Sequence, residues 1–317
     1  MTTQQAAAFL QAHDNYLILT HVRPDGDTIG CAAGLCRALR QIGKAAFVLP
    51  NREATTLFTP YLEGLLADES WVPDTVVSVD IAARGLFPEN ALPYLDRVAL
   101  AIDHHPSQEF FAKDTCLDAT RAACGELVYE IVKQFCQITP EIGNAFYVAI
   151  STDCGCFAYG NTTASTHRAA AELMDTGIDF RTVNKVFFRT KTRKRLALEA
   201  DMLANMEFYD AGRVVLLFVP MALMERIAAT ESDAEDLSSL GGQIEGTDCA
   251  VTLRELRPDV WKLSVRTGPR VNATDVCREL GGGGHAAAAG CTVEAPLEDV
   301  KHLILQAIAK HAPDYQE

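Results

Sequence analysis

Apolar positions along this chain fall into short unbroken runs separated by longer stretches with helical spacing. Residues 16–22 (YLILTHV), 45–49 (AAFVL), 75–79 (TVVSV) and 98–102 (VALAI) are β-branched and apolar without alternation, which predicts strands buried on both faces. Residues 28–42 have helical periodicity and stop at Gly43, suited to the left-handed position after a helix. The run 140–150 is ambiguous by hydropathy. Thr139 as cap, Pro140 in the first turn, and Ile142, Phe146 and Ile150 four residues apart favour a helix. Strands alternating with helices predict an α/β fold with a mostly parallel sheet.

Beyond Asp153 the pattern is helical to about residue 210, and 196–208 lacks glycine and proline, as a helical connector would. A second set of elements follows: strands over 213–219, 248–253 and 261–265, a helix over 272–280 and a final helix over 297–310. The expected organisation is a first domain over 1–187, a connector over 188–211, and a smaller mixed α/β domain over 212–317.

Composition narrows the partners. With 28 Lys and Arg against 42 Asp and Glu, the net charge is −14. Such a surface repels long nucleic acid, which is gripped through its phosphates by basic residues. The one dense basic run, 189–195 (RTKTRKR), reads first as a solvated helix start. Ten cysteines without a CxxC pattern read as reduced thiols rather than a zinc site or disulfide scaffold. No apolar run is long enough to span a bilayer, and the first residues lack the basic start of a signal peptide. The expectation is a cytoplasmic protein without a membrane partner.

The candidate chemistry lies where elements end. Ligands of open α/β sheets bind at the carboxyl ends of the strands. The first strand runs into His21, Asp25 and Asp27; the third ends at Asp80; the fourth at Asp103, His104 and His105; the 140–150 helix delivers Asp153. Taken singly, Asp80 could be a turn residue, and Asp25-Gly26-Asp27 a helix cap. Two adjacent histidines after a buried strand have no core role. Clustered carboxylates raise one another's pKa unless cations intervene, and oxygen and imidazole donors suit Mn²⁺ or Mg²⁺. His21, Asp25, Asp27, Asp80, His104 and Asp153 suffice for two ions if one carboxylate bridges them. In the second domain, 281–290 (GGGGHAAAAG) reads either as a flexible linker or as a backbone nest for phosphate followed by a packed alanine face. Arg266, at a strand end, could clamp a phosphate. Neither a Walker loop nor a dinucleotide fingerprint is present.

In order, HVRPDGD, VSVD, IDHH, STDCGCF and GGGGHAAAAG resemble the motifs of the DHH phosphoesterase family with its associated C-terminal domain, over nearly the whole chain. Within it the chain is most similar to the oligoribonuclease and 3′-phosphoadenosine-5′-phosphate phosphatase branch. That resemblance implies two divalent cations, Mn²⁺ with Mg²⁺ as the alternative, an active-site cleft between two domains, and hydrolysis of very short RNA or a small nucleotide. It implies one ion on His21, Asp25 and Asp80, and another on Asp27, Asp80, His104 and Asp153. Asp103 would orient its neighbours and His105 approach the scissile phosphate, while Arg266, Gly282, Gly283, Gly284 and His285 hold the substrate. One departure is Cys154 where the family's fourth motif has threonine. A non-catalytic nucleotide- or RNA-binding module, and a pyrophosphate or polyphosphate hydrolase on the same centre, stay open as alternatives, as does a homodimer.

Overall fold

The structure is a computed structural model and describes residues 1–234, 237–312 and 315. The chain divides into two compact units, Met1–Thr190 and Lys191–Glu317.

The first unit is built on five parallel strands: β1 (Tyr16–Leu19), β2 (Ala46–Val48), β3 (Thr75–Val79), β4 (Val98–Asp103) and β5 (Asp114–Leu117), in the order β2-β1-β3-β4-β5. Tyr16 pairs with Ala46 on one side and with Thr75 on the other. The strand order therefore reverses between β1 and β3, the kind of switch point where open sheets bind ligands. One sheet face, with Ile18, Val77 and Ile102, packs under the helices α1 (Thr3–Ala12), α2 (Gly26–Gln41), α3 (Cys124–Val132), α4 (Pro140–Asp153) and α5 (Ala164–Asp175). A short helix, α6 (Phe180–Asn184), follows. The other face, with Leu17, Val76 and Ala101, is covered by Phe87, Ala91 and Phe111 from connecting segments. Only β1 and β2 are joined by an α-helix. The stretch from 50 to 97 carries Pro50, Pro60, Pro73, Pro88 and Pro93, which break regular helices into 3₁₀ turns.

Close packing of α2 on α4 sets the site. Gly26, Gly30 and Gly34 recur at helical spacing on α2. A Cβ there would stand 2.3 Å from the Thr152 hydroxyl, 2.4 Å from the Ala145 carbonyl and 2.5 Å from the Phe146 ring. Side chains at these positions would force the helices apart. Helix α4 starts as its sequence dictates, with Thr139 capping the Ile142 N–H and Pro140 in the first turn, a cap worth about 1 kcal/mol. It continues past Ile150 to Asp153, so Asp153 is its last residue and does not lie beyond its end.

The second unit holds a six-stranded mixed sheet in the order β10-β11-β9-β8-β7-β6. Its strands are β6 (Glu207–Tyr209), β7 (Val214–Val219), β8 (Cys249–Arg257), β9 (Val260–Thr267), β10 (Gly283–His285) and β11 (Ala288–Glu294); only β7 and β8 pair in parallel. Its helices are α7 (Arg193–Ala204), α8 (Met221–Ile227), α9 (Ala273–Arg278) and α10 (Leu297–His311). α9 and α10 cover one sheet face, while Leu198 and Met202 of α7 pack on the other. The helix expected over 196–208 ends at Ala204 and gives way to β6, because Glu207–Tyr209 pairs with β7. Among the described residues no helix is long and apolar enough to cross a membrane.

Candidate metal centre

Eight side chains of the first unit converge at the carboxyl edge of the sheet, on both sides of the switch point. β1 leads into His21. Asp25 caps α2, accepting the N–H groups of Asp27 and Thr28 at 3.0 and 3.2 Å, so the cap reading and a site role coexist in one residue. β3 ends at Asp80, whose φ of 60° turns its carboxylate into the site from a backbone conformation that asparagine and aspartate tolerate better than most residues. β4 delivers Asp103, His104 and His105, and the end of α4 delivers Asp153.

Asp80 is central. One of its oxygens lies 3.7 Å from His21 Nε2, which is also 3.5 Å from Asp25. The other lies 3.6 Å from His104 Nε2, itself 3.8 Å from Asp27 and 3.7 Å from Asp153. These separations exceed good hydrogen bonds. Two donors about 2.1 Å from one cation and about 110–125° apart would lie about 3.4–3.7 Å from each other, close to the 3.5–3.8 Å found here. Asp80 is 2% exposed, yet its Oδ1 has no hydrogen-bond partner. A buried carboxylate oxygen left this way is costly, and a cation would relieve it.

The surroundings aim the donors. His21 and His104 turn Nδ1 to backbone carbonyls, of Val22 at 2.8 Å and Arg121 at 3.1 Å, leaving Nε2 to face the carboxylates. Arg121 is in turn held by Asp118 at 2.8 Å and by the Ser165 hydroxyl at 3.1 Å. Asp27 accepts the N–H groups of Cys124 and Gly125, at 2.6 and 2.8 Å, from the start of α3. Asp103 is fully buried and accepts from His104 N, His105 Nδ1 and Gln108 Nε2, at 2.8, 2.8 and 2.6 Å. It thereby leaves His105 Nε2 free on a ring that is 39% exposed. Arg121, Gln108 and the first turn of α3 are contributions the sequence reading missed. The Gln108 and Arg121 side chains carry no motif, and the rest are backbone groups that no residue type announces.

Electrostatics point the same way. Burial pushes the Asp27, Asp80 and Asp153 carboxyls up, and neighbouring carboxylates push further; Asp27 rises well above the usual range and Asp153 to about 7. For His21, burial opposes protonation but is outweighed by Asp25 and Asp80, which raise it to about 10. Asp25, although burial pushes it up, is held below the usual range by His21 and the α2 N–H groups. The cluster as it stands takes up protons where cations would otherwise balance its charge.

A family model described as the DHH family, N-terminal domain, matches residues 15–178, and a DHHA1 domain model matches residues 222–311. The chain belongs to the DHH family. It is 31% identical over 297 residues to the bifunctional oligoribonuclease and PAP phosphatase NrnA of Thermus thermophilus, covering 92% of this chain and 88% of the relative. Among solved structures, an exopolyphosphatase-related protein from Bacteroides fragilis matches with a TM-score of 0.88 at 23% identity, over 99% of this chain and 97% of that one. RecJ of Thermus thermophilus in complex with Mn²⁺ matches with a TM-score of 0.53 at 15% identity, over 97% of this chain and 54% of that one.

In this DHH chain Cys154 is buried and follows Asp153 as the cap of α4; its sulfur accepts the Phe157 N–H at 3.3 Å. A threonine hydroxyl could accept the same bond, so the substitution is compatible with the turn that positions Asp153.

The DHHA1 region of the second unit corrects one expectation. The glycine run is neither linker nor nest: Gly283–His285 is an edge strand in a hairpin, with Ala286 and Ala287 exposed at its tip and, of the four alanines, Ala289 alone buried in the core. Glycine is needed where backbones meet, since a Cβ on Gly282 would lie 2.2 Å from the Gly290 carbonyl and one on Gly284 2.6 Å from that of Ala288. His285 pairs with Ala288, and Ala288 with Arg266, so the three stand in one row on one sheet face. The next row on that face is Gly283, Gly290, Ser264 and Thr252. A cation and an imidazole thus stand about 10 Å apart at the backbone, over small side chains.

Proposed function

We propose that this chain is a divalent-metal-dependent phosphoesterase that hydrolyses di- to pentaribonucleotides and 3′-phosphoadenosine 5′-phosphate. The observation that carries the reading is Asp80: a buried carboxylate whose two oxygens face two separate donor groups, His21 with Asp25, and His104 with Asp27 and Asp153. His21, Asp25 and Asp80 would hold one ion, and Asp27, Asp80, His104 and Asp153 the other, with Mn²⁺ favoured by the oxygen and imidazole donors. Bound there, the ions would supply a water acidified for attack and positive charge for the phosphoryl oxygens.

The chain's own groups do the rest. Asp103 fixes the His105 ring so that Nε2 is free to meet a phosphoryl oxygen or give a proton to the leaving group. Asp27, anchored by two α3 N–H groups, and His104, anchored through Arg121, keep their donor atoms still while the substrate changes shape. In the second unit, Arg266 and His285 would hold a terminal phosphate and base over the glycine-lined floor. The net charge of −14 supports short substrates over polymers.

The test is turnover of di- to pentanucleotides, 3′-phosphoadenosine 5′-phosphate, longer RNA and pyrophosphate by purified protein with Mn²⁺, beside chelated controls. Fast cleavage of the short nucleotides that is lost on chelation is the expected result. Turnover of pyrophosphate alone, or full activity after metal removal, would overturn the reading.

A further inference from the structure

Beside the metal centre, the segment after β2 leaves the sheet at Leu49 and returns at Leu66, whose backbone bridges to Val48. It borders an open, solvent-facing cavity of about 580 Å³ that none of the site chemistry above uses. That size falls within the range of small-ligand pockets, about 300–1,000 Å³.

The segment is fixed from several sides. Arg37 donates to the Tyr61 carbonyl and Arg40 to that of Gly64, both at 2.8 Å, and Asn90 to that of Pro50 at 2.7 Å. The wall is continuous with the metal centre: the Asn51 amide donates to the His21 carbonyl at 2.9 Å and to the Thr20 hydroxyl at 3.1 Å. Asn51 is used up in this role, its own oxygen accepting the Glu53 N–H at 3.0 Å. What remains for a ligand is a set of apolar surfaces, Pro50, Pro60, Leu62 and Leu66, with two charged groups, Arg52 and Glu63. Among the described residues neither charge has an ion-pair partner, and both are exposed. Leu66 is 44% exposed and offers its side chain to this surface.

We propose that this cavity is a subsite for one nucleoside of the substrate, its base against Pro60 and Leu66, with Arg52 on the adjoining phosphate. Flat apolar walls suit a base, which has two π-faces and little polar surface there. Glu63 suits the exocyclic amino group or ribose hydroxyls that every nucleoside presents. An unpaired guanidinium beside such walls suits phosphate, and in an acidic protein it is a local exception to the net charge. The inference rests on the nucleotide-phosphoesterase reading, and names where one nucleoside of that substrate would sit.

The test uses the full Mn²⁺-loaded chain as wild type, Leu66→Trp, which crowds the proposed base wall, and Arg52→Ala, a surface change that leaves folding intact. Two quantities are read: equilibrium binding of AMP, and the ratio of kcat/KM on a dinucleotide to kcat/KM on bis(p-nitrophenyl) phosphate, which has a phosphodiester but no nucleoside. Both variants are expected to weaken AMP binding and lower the ratio by about tenfold or more, mainly through KM. AMP binding and a ratio equal to wild type in both variants would overturn the subsite, while wild-type dinucleotide turnover would still stand for the function. Cavity-dependent AMP binding without nucleotide turnover would keep the subsite and overturn the function.

Discussion

Replacing Asp80 with asparagine is expected to stabilise the metal-free protein while removing its response to metal. Most buried substitutions destabilise, so the sign itself is diagnostic. Asparagine nearly matches the shape of aspartate and tolerates the φ of 60° at this position. Alanine would add backbone strain of about 1–2 kcal/mol and blur the result. The substitution removes one buried negative charge from a group of five carboxylates. Its Oδ1 makes no hydrogen bond, so the metal-free protein carries a penalty of about 1–3 kcal/mol that an amide NH₂ donating to neighbouring carboxylates lifts, against the loss of one of the two acids that hold the His21 proton. For a domain the size of Met1–Thr190, each kcal/mol moves the melting temperature by about 2–4 °C, giving a rise of about 2–12 °C. The assay is a thermal melt at pH 8 after chelation and dialysis, then with Mn²⁺ added. Wild type should gain stability with Mn²⁺, whereas Asp80→Asn should start higher and gain little, with kcat/KM down about 10³-fold or more because both donor groups lose their shared oxygen. A lower metal-free melting temperature, or an undiminished Mn²⁺ shift, would refute the reasoning.

Metal binding should release protons, because His21 holds one up to about pH 10 and Asp153 up to about 7; Mn²⁺ affinity should therefore rise from pH 6 to 8, by up to about tenfold per pH unit for each proton released, as read by calorimetry in buffers of different ionisation heat. The same shifts set the pH dependence of the metal-free fold. Unfolded Asp153 loses its proton near 3.8 while the folded group keeps it to about 7, so stability falls as pH rises across that window. The His21 contribution is full below about 6.5 and fades toward about 10 in the same direction, and a chelated melt series that rises with pH would contradict both. Gly30→Val should lower the first unit's stability by about 3 kcal/mol or more, since even a Cβ would meet the Ala145 carbonyl at 2.4 Å; an unchanged urea midpoint would show that the helices can separate freely. Arg266→Ala should raise KM for dinucleotides about 10–100-fold with a smaller change in kcat, and a loss confined to kcat would place Arg266 in the chemistry instead of in binding.

Four of the five strands of the first unit were legible because parallel strands buried on both faces leave unbroken apolar runs, as 75–79 and 98–102 do; the edge strand β5, polar and half-exposed, leaves none. The connections from β2 to β3 and from β3 to β4 were not, because their prolines erase any period and their conformation is set by contacts such as Arg40 to Gly64 and Asn90 to Pro50. The glycine run of the second unit was misread for a different reason. Glycines report that something comes close without saying what, and here it is the neighbouring strand, at Gly290 and Ala288. The convergence of His21, Asp27, Asp80, His104 and Asp153 could be anticipated from their positions at element ends. The donors that orient them could not, since Val22 and Arg121 act through carbonyls and Cys124 and Gly125 through N–H groups.

The same sequence feature explains why so many acids can share one edge of a sheet without unfolding it. Asp27 and Asp153 come from different helices, and their approach requires α2 and α4 to pack almost backbone to backbone, which Gly26, Gly30 and Gly34 permit. That approach brings like charges together and raises their pKa values, so packing and electrostatics oppose each other at this point. The α3 N-terminus offsets part of the conflict by giving Asp27 two N–H donors and the positive end of a helix dipole. Asp80, without such a donor on Oδ1, keeps the remainder. A packed core of this kind relaxes little, so the unbalanced charge cannot be relieved by moving the acids apart. It can be relieved only by protons or by cations, and at neutral pH the two compete for the same oxygens and the same imidazole nitrogens. The helix contact that holds the acids together is therefore also what would make the site demand metal, as the proposed function requires.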